Sequence, residues 1–124
     1  ENKADLVAGV ESKEDQEVVG DILFDLTRRE TRQFSLSLAR HLVGSLQNRT
    51  AVHKNPLRSA GFRVLKAHDV PSVLVEVGYL SSSEDARLMK TSDWRAAMAE
   101  SIADAVEKYI GENATGQANS GAKP

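Results

Sequence analysis

A chain of 124 residues with 40% hydrophobic content is long enough for one domain, and with only 5% aromatics its core is expected to be aliphatic. A formal net charge of -2 and a pI near 5.9 exclude a global basic field suited to nucleic acid or an anionic membrane surface. The absence of cysteine excludes disulfides, thiolate nucleophiles and cysteine-based zinc sites, and no apolar stretch reaches the roughly 18 residues that span a bilayer.

The opening, Glu1-Asn2-Lys3-Ala4-Asp5-Leu6, has neither an initiator Met nor a signal-peptide pattern and reads as cut from something longer. Glu1 to Gly9 has weak helical character. Glu11-Ser12-Lys13-Glu14-Asp15-Gln16-Glu17 follows, mostly acidic, with Ser12 as an N-cap candidate and acids suited to a helix's positive end. Val18, Val19, Ile22, Leu23 and Leu26 then fall on one helical face. Gly20 lies inside that pattern and weakens it by about 1 kcal/mol relative to alanine. A second helical pattern runs from about Thr27 to Leu46. Phe34, Leu38, Leu42 and Leu46 recur every fourth residue beside Ala39 and Val43, while Arg28, Arg29, Arg32 and Arg40 share the polar surface. No proline separates the two patterns, so one long helix and two helices with a bend are both compatible with the sequence.

Asn55-Pro56 marks residues 47–58 as loop. Phe62-Arg63-Val64-Leu65-Lys66 alternates as a short strand. Pro71 to Leu80 forms a second, near-continuous run of β-branched and aliphatic residues, the pattern of a strand covered on both faces. Ser81-Ser82-Ser83-Glu84-Asp85 starts a short helix to about Lys90, with Ser81 and Glu84, or Ser82 and Asp85, at capping-box spacing. Ser92 is the next N-cap candidate. Behind it Trp94, Met98, Ile102, Ala105 and Tyr109 mark an amphipathic helix ending at Gly111, and their spacing reads as core packing. Residues 111–124, rich in Gly, Ala, Asn and Ser, are expected to form a disordered tail. The expected fold class is α/β: a segment of mixed or parallel β-sheet with flanking helices.

Glu76 is the sole charge in Pro71–Leu80. A carboxylate in a buried strand needs a cation, a metal or a proton to move, because desolvation without a partner costs several kcal/mol. Near the C-terminal end of a strand it lies where open α/β sheets place their ligand crevices. The structural alternative is an ion pair with an arginine or a bond to a backbone amide. His41, His53 and His68 show no HxxxH or HxH spacing and read as ordinary residues, so no metal ligand is assigned within the chain. Neither a Gly-rich phosphate loop nor a Gly-x-Ser-x-Gly elbow is present.

Ala60-Gly61-Phe62-Arg63-Val64-Leu65-Lys66, followed by Asp69-Val70-Pro71-Ser72-Val73-Leu74-Val75-Glu76-Val77-Gly78-Tyr79-Leu80-Ser81, resembles the end of the zinc-dependent N-acetylmuramoyl-L-alanine amidases of bacterial cell walls. Glu84-Asp85-Ala86-Arg87-Leu88 and the Trp94 helix continue the likeness. Glu1 to Leu6 and Leu26-Thr27-Arg28-Arg29-Glu30-Thr31 resemble the Gram-negative division amidases, so the likeness covers residues 1 to about 110, as the C-terminal part of the catalytic domain. The resemblance implies a periplasmic peptidoglycan hydrolase that cuts the amide between N-acetylmuramic acid and L-alanine in cell separation. It implies Glu76 as acid/base, and zinc held by two histidines and a glutamate in motifs that precede Glu1. It also implies that residues 10–31 form an inserted regulatory helix that covers the site until an activator protein displaces it. The acids Glu14, Asp15, Glu17 and Asp21 are candidates to occupy the zinc's open position, Glu17 first among them; the alternative is that they are solvated first-turn acids. As given, the chain is expected to be inactive. The competing reading is a non-catalytic module that binds a protein partner through residues 10–46.

Overall fold

In the computed structural model the backbone is described for residues 2–120 and the side chains for residues 15–115. The chain forms α1 (Asn2–Gln47), a single 3-10 turn (Arg63–Leu65), α2 (Ser83–Met89) and α3 (Ser92–Ser120). No strand is present among the described residues, which overturns the α/β expectation of a mixed or parallel sheet. The apolar runs at 62–66 and 71–80 have the composition of strands. A strand, however, satisfies its amides and carbonyls through a neighbouring strand. Here the first run winds into the 3-10 turn and the second follows an irregular path.

α1 is one continuous helix, so the two apolar patterns along it belong to a single rod. α3 packs antiparallel against its C-terminal half. Residue pairs fix the direction: His41 meets Glu112, whereas Arg49 meets Glu100 and Asp104. The fourfold repeat of α1 supplies the buried Leu42 and Leu46, with Phe34 and Leu38 half-buried. From α3 come the fully buried Ser101 and Ala105, one turn apart, whose small side chains let the helices approach closely. The Ser101 hydroxyl donates to the Ala97 carbonyl at 2.7 Å, so its burial leaves no unpaired donor. Trp94, Met98, Ile102 and Tyr109 flank this line, half-buried.

α3 continues through Gly111 to Ser120 rather than ending at Gly111. A glycine stops a helix by adopting positive φ, and no described glycine does so. The expected disordered tail therefore meets helix over residues 111–120; residues 121–124 lie outside the described residues.

Candidate functional site

Glu76 sits in an irregular segment suspended between α1 and α2, and its side chain is exposed rather than buried in a strand. Exposure removes the desolvation argument of the sequence reading. It also leaves the carboxylate free: no hydrogen bond or ion pair to it is formed among the described residues. Neither structural alternative, an arginine partner or a backbone amide, is realised there.

The segment is tied at both ends. Upstream, two hydroxyls one turn apart on α1 hold it. Thr31 Oγ1 donates to the His68 carbonyl at 2.6 Å, and Ser35 Oγ accepts from the Ser72 amide at 2.9 Å while donating to the Thr31 carbonyl. The ring of Phe24 packs on that of His68 with centroids 4.5 Å apart. Thr31 is buried as a result. Downstream, the Tyr79 amide donates to Asp85 Oδ2 at 2.9 Å, and the Ser82 amide donates to the Tyr79 carbonyl at 3.0 Å. Of the two capping pairs that the spacing allows, the structure uses Ser82 with Asp85, since Ser82 is the N-cap of α2 and its hydroxyl accepts from the Asp85 amide. Thr31 and Ser35 went unnoticed in the sequence. The available signal was a pair of hydroxyls at i, i+4, next to the start of the fourfold apolar repeat at Phe34.

The regulatory candidates lie elsewhere. Asp15, Glu17 and Asp21 are exposed on α1, and the side chain of Glu14 lies outside the described residues. Asp21 helps line an open depression of about 320 Å³ with Ile22, Asp25, Leu26 and Arg29, all on α1; Glu76 does not reach it. Asp25 pairs with Arg29 at 3.0 Å. Val18, Val19, Ile22, Leu23 and Leu26 are each more than half exposed, so this face of α1 is uncovered.

The histidines are dispersed. His41 donates to the Ser37 carbonyl and meets Glu112 Oε2, both at 2.9 Å, with the Tyr109 ring edge-on at 6.1 Å. The Ser37 carbonyl first, and the Glu112 carboxylate second, favour the protonated ring. They hold the His41 pKa above its ordinary value against partial desolvation and the nearby charge of Lys108. His53 bonds within its own loop at Asn55. His68 packs on Phe24. No group of three or more His, Cys, Asp or Glu able to hold a metal is present among the described residues.

The sequence of residues 8–108 matches the family model for N-acetylmuramoyl-L-alanine amidase. The chain is 36% identical to the N-acetylmuramoyl-L-alanine amidase AmiC of Escherichia coli O6:H1 over 93% of its own length and 27% of that protein's. It is 36% identical to AmiA of Escherichia coli K12 over 89% of its length and 38% of that protein's, and 34% identical to AmiC of Neisseria meningitidis over 89% and 26%. The chain belongs to the N-acetylmuramoyl-L-alanine amidase family. It spans about a quarter to two-fifths of the length of these curated relatives. No described helix is long and apolar enough to cross a membrane.

Proposed function

We propose that this chain is the C-terminal part of the catalytic domain of a peptidoglycan hydrolase that cleaves the amide between N-acetylmuramic acid and the first L-alanine of the stem peptide. Glu76 is its acid/base. The observation that carries this reading is the family match over residues 8–108, within which Glu76 is the sole acid between Pro71 and Leu80. An unpaired, exposed carboxylate is free to take a proton from the attacking water as its oxygen bonds to the carbonyl carbon. The same carboxylic acid returns that proton to the L-alanine nitrogen as the C–N bond breaks, so only water is consumed. The resemblance assigns the zinc to two histidines and a glutamate in motifs that precede Glu1.

Peptidoglycan is the substrate on this reading, the periplasm the compartment and cell separation the setting. Residues 10–31 of α1 restrain the enzyme, with Glu17, before Glu14, Asp15 or Asp21, as the blocking carboxylate, until an activator protein docks on α1. The uncovered face of Val18, Val19, Ile22, Leu23 and Leu26 supports this. The same face favours the second reading, a non-catalytic module that engages a partner through residues 10–46.

The test is Glu76→Gln in the protein as its gene encodes it, assayed on purified peptidoglycan. Loss of turnover by about 10²–10⁴-fold with bound metal unchanged is expected. Near-normal turnover overturns the role of Glu76. A wild-type protein that releases no stem peptide, with or without added activator, supports the module instead.

A further inference from the structure

Glu76 has no partner of its own among the described side chains, so its direction is set by the backbone that carries it. The nearest side-chain tie downstream is the bond from the Tyr79 amide to Asp85 Oδ2. We infer that Asp85 is a positioning residue for Glu76, acting through the Tyr79 amide to hold the segment 76–79 against α2. The inference rests on the acid/base reading of Glu76 given above.

Helix capping alone does not explain this geometry. In a capping box the side chain at the third helical position reaches back to the amide of the N-cap residue. Asp85 occupies that position, yet its carboxylate passes over the Ser82 amide, which is taken by the Tyr79 carbonyl, and bonds Tyr79 instead. The Asp85 carboxylate thus serves the segment that precedes the helix as well as the helix itself. Two further contacts fix it. The Asp85 amide donates to Ser82 Oγ at 3.2 Å, closing a ring through Tyr79, Ser82 and Asp85. At residue 78 the backbone comes so near α2 that an added Cβ would lie 3.3 Å from Asp85 Cβ and 3.4 Å from Met89 Cε. Glycine there permits the approach that brings the Tyr79 amide within reach of the carboxylate. A charged acceptor makes this bond roughly twice as strong as a neutral one, which suits a tie that must outlast the exchange of water around an exposed segment.

The experiment compares Asp85→Ala, Asp85→Asn, Ser82→Ala and Glu76→Gln in the protein as its gene encodes it, with kcat and KM measured on purified peptidoglycan and folding followed by thermal unfolding. Asp85→Ala is expected to lower kcat at least tenfold with KM within twofold. Asp85→Asn keeps an oxygen that accepts from Tyr79 and is expected to restore kcat to within about threefold of wild type. Ser82→Ala removes the cap but leaves the Tyr79 bond, so it is expected to lower the unfolding temperature while sparing kcat. The inference is overturned if Asp85→Ala keeps kcat within twofold, if Ser82→Ala loses as much as Asp85→Ala, or if Asp85→Asn is as impaired as Asp85→Ala. Should Asp85→Ala fail to fold, Gly78→Ala takes its place, since its Cβ would meet Asp85 Cβ at 3.3 Å and push the segment off α2 while Asp85 stays: a loss of kcat with KM kept supports the inference and a kcat within twofold of wild type overturns it. An inactive Glu76→Gln beside an undisturbed Asp85→Ala removes the positioning role alone, whereas an active Glu76→Gln removes the acid/base reading and this inference with it.

Discussion

His41 shows how one side chain can couple two helices to pH. It spans the α1–α3 interface between the Ser37 carbonyl and Glu112, and both partners raise its pKa in the folded chain. A raised folded pKa means that the contribution is fully present below the unfolded value near 6.5 and is lost as pH rises through the folded value. The unfolding temperature is therefore expected to fall between slightly acidic and mildly alkaline pH, and Glu112→Gln to shrink that dependence; an identical profile in the variant would show that the pair contributes nothing. Thr31 ties α1 to the backbone that leads into the Glu76 segment. Its buried hydroxyl holds the His68 carbonyl, so Thr31→Val should cost about 1 kcal/mol, read as a shift of the chemical-denaturation midpoint.

Among the elements, the helices were legible, while the two expected strands are absent from the described residues. The fourfold repeat of Phe34, Leu38, Leu42 and Leu46 marked the packed face of α1 because helical periodicity is a local property that burial then reinforces. The Ser82–Asp85 pair was readable from its spacing for the same reason. Pro71–Leu80 misled because its composition records a preference for a covered, pleated surface, while a sheet exists only where a second backbone supplies the ladder. Glu76 was accordingly picked out as the single acid of its segment, but its exposure was not foreseen. Ser101 escaped notice because a hydroxyl that bonds its own helix is buried as readily as alanine. Gly111 was read as a stop, a role that depends on a positive φ the chain does not adopt. Gly20 offers a direct check on α1. Its Cβ position faces open space, so Gly20→Ala is expected to stabilise the helix by about 0.5–1 kcal/mol, seen as increased helical circular dichroism and a higher unfolding temperature.

On the scale of the molecule, two stretches among the described residues each expose several large apolar side chains. One is the face of α1 from Val18 to Leu26, and the other is the Glu76 segment, where Leu74, Val77, Tyr79 and Leu80 are exposed. Uncovered apolar patches of this kind ordinarily mark a surface that meets another surface. On the proposed function, deleting residues 10–30, or substituting Glu17→Lys, should raise basal peptidoglycan cleavage by the protein as its gene encodes it. Unchanged or lower activity in a folded variant would count against restraint by α1. The deletion is ended at residue 30 to keep the Thr31–His68 bond; because it removes the Phe24 contact to His68, Glu17→Lys, which keeps Phe24, is the cleaner variant.

The unbroken course of α1 has a mechanical consequence. With a rise of about 1.5 Å per residue, Glu17 stands roughly 38 Å along the axis from Leu42, and Thr31 roughly 16 Å. Leu42 and Leu46 are buried where α1 packs on α3, so they act as the fulcrum of a lever that is exposed along residues 15–30. A push at Glu17 arrives at the Thr31–His68 bond geared down to less than half its travel, directed at the stretch of backbone that leads into Glu76.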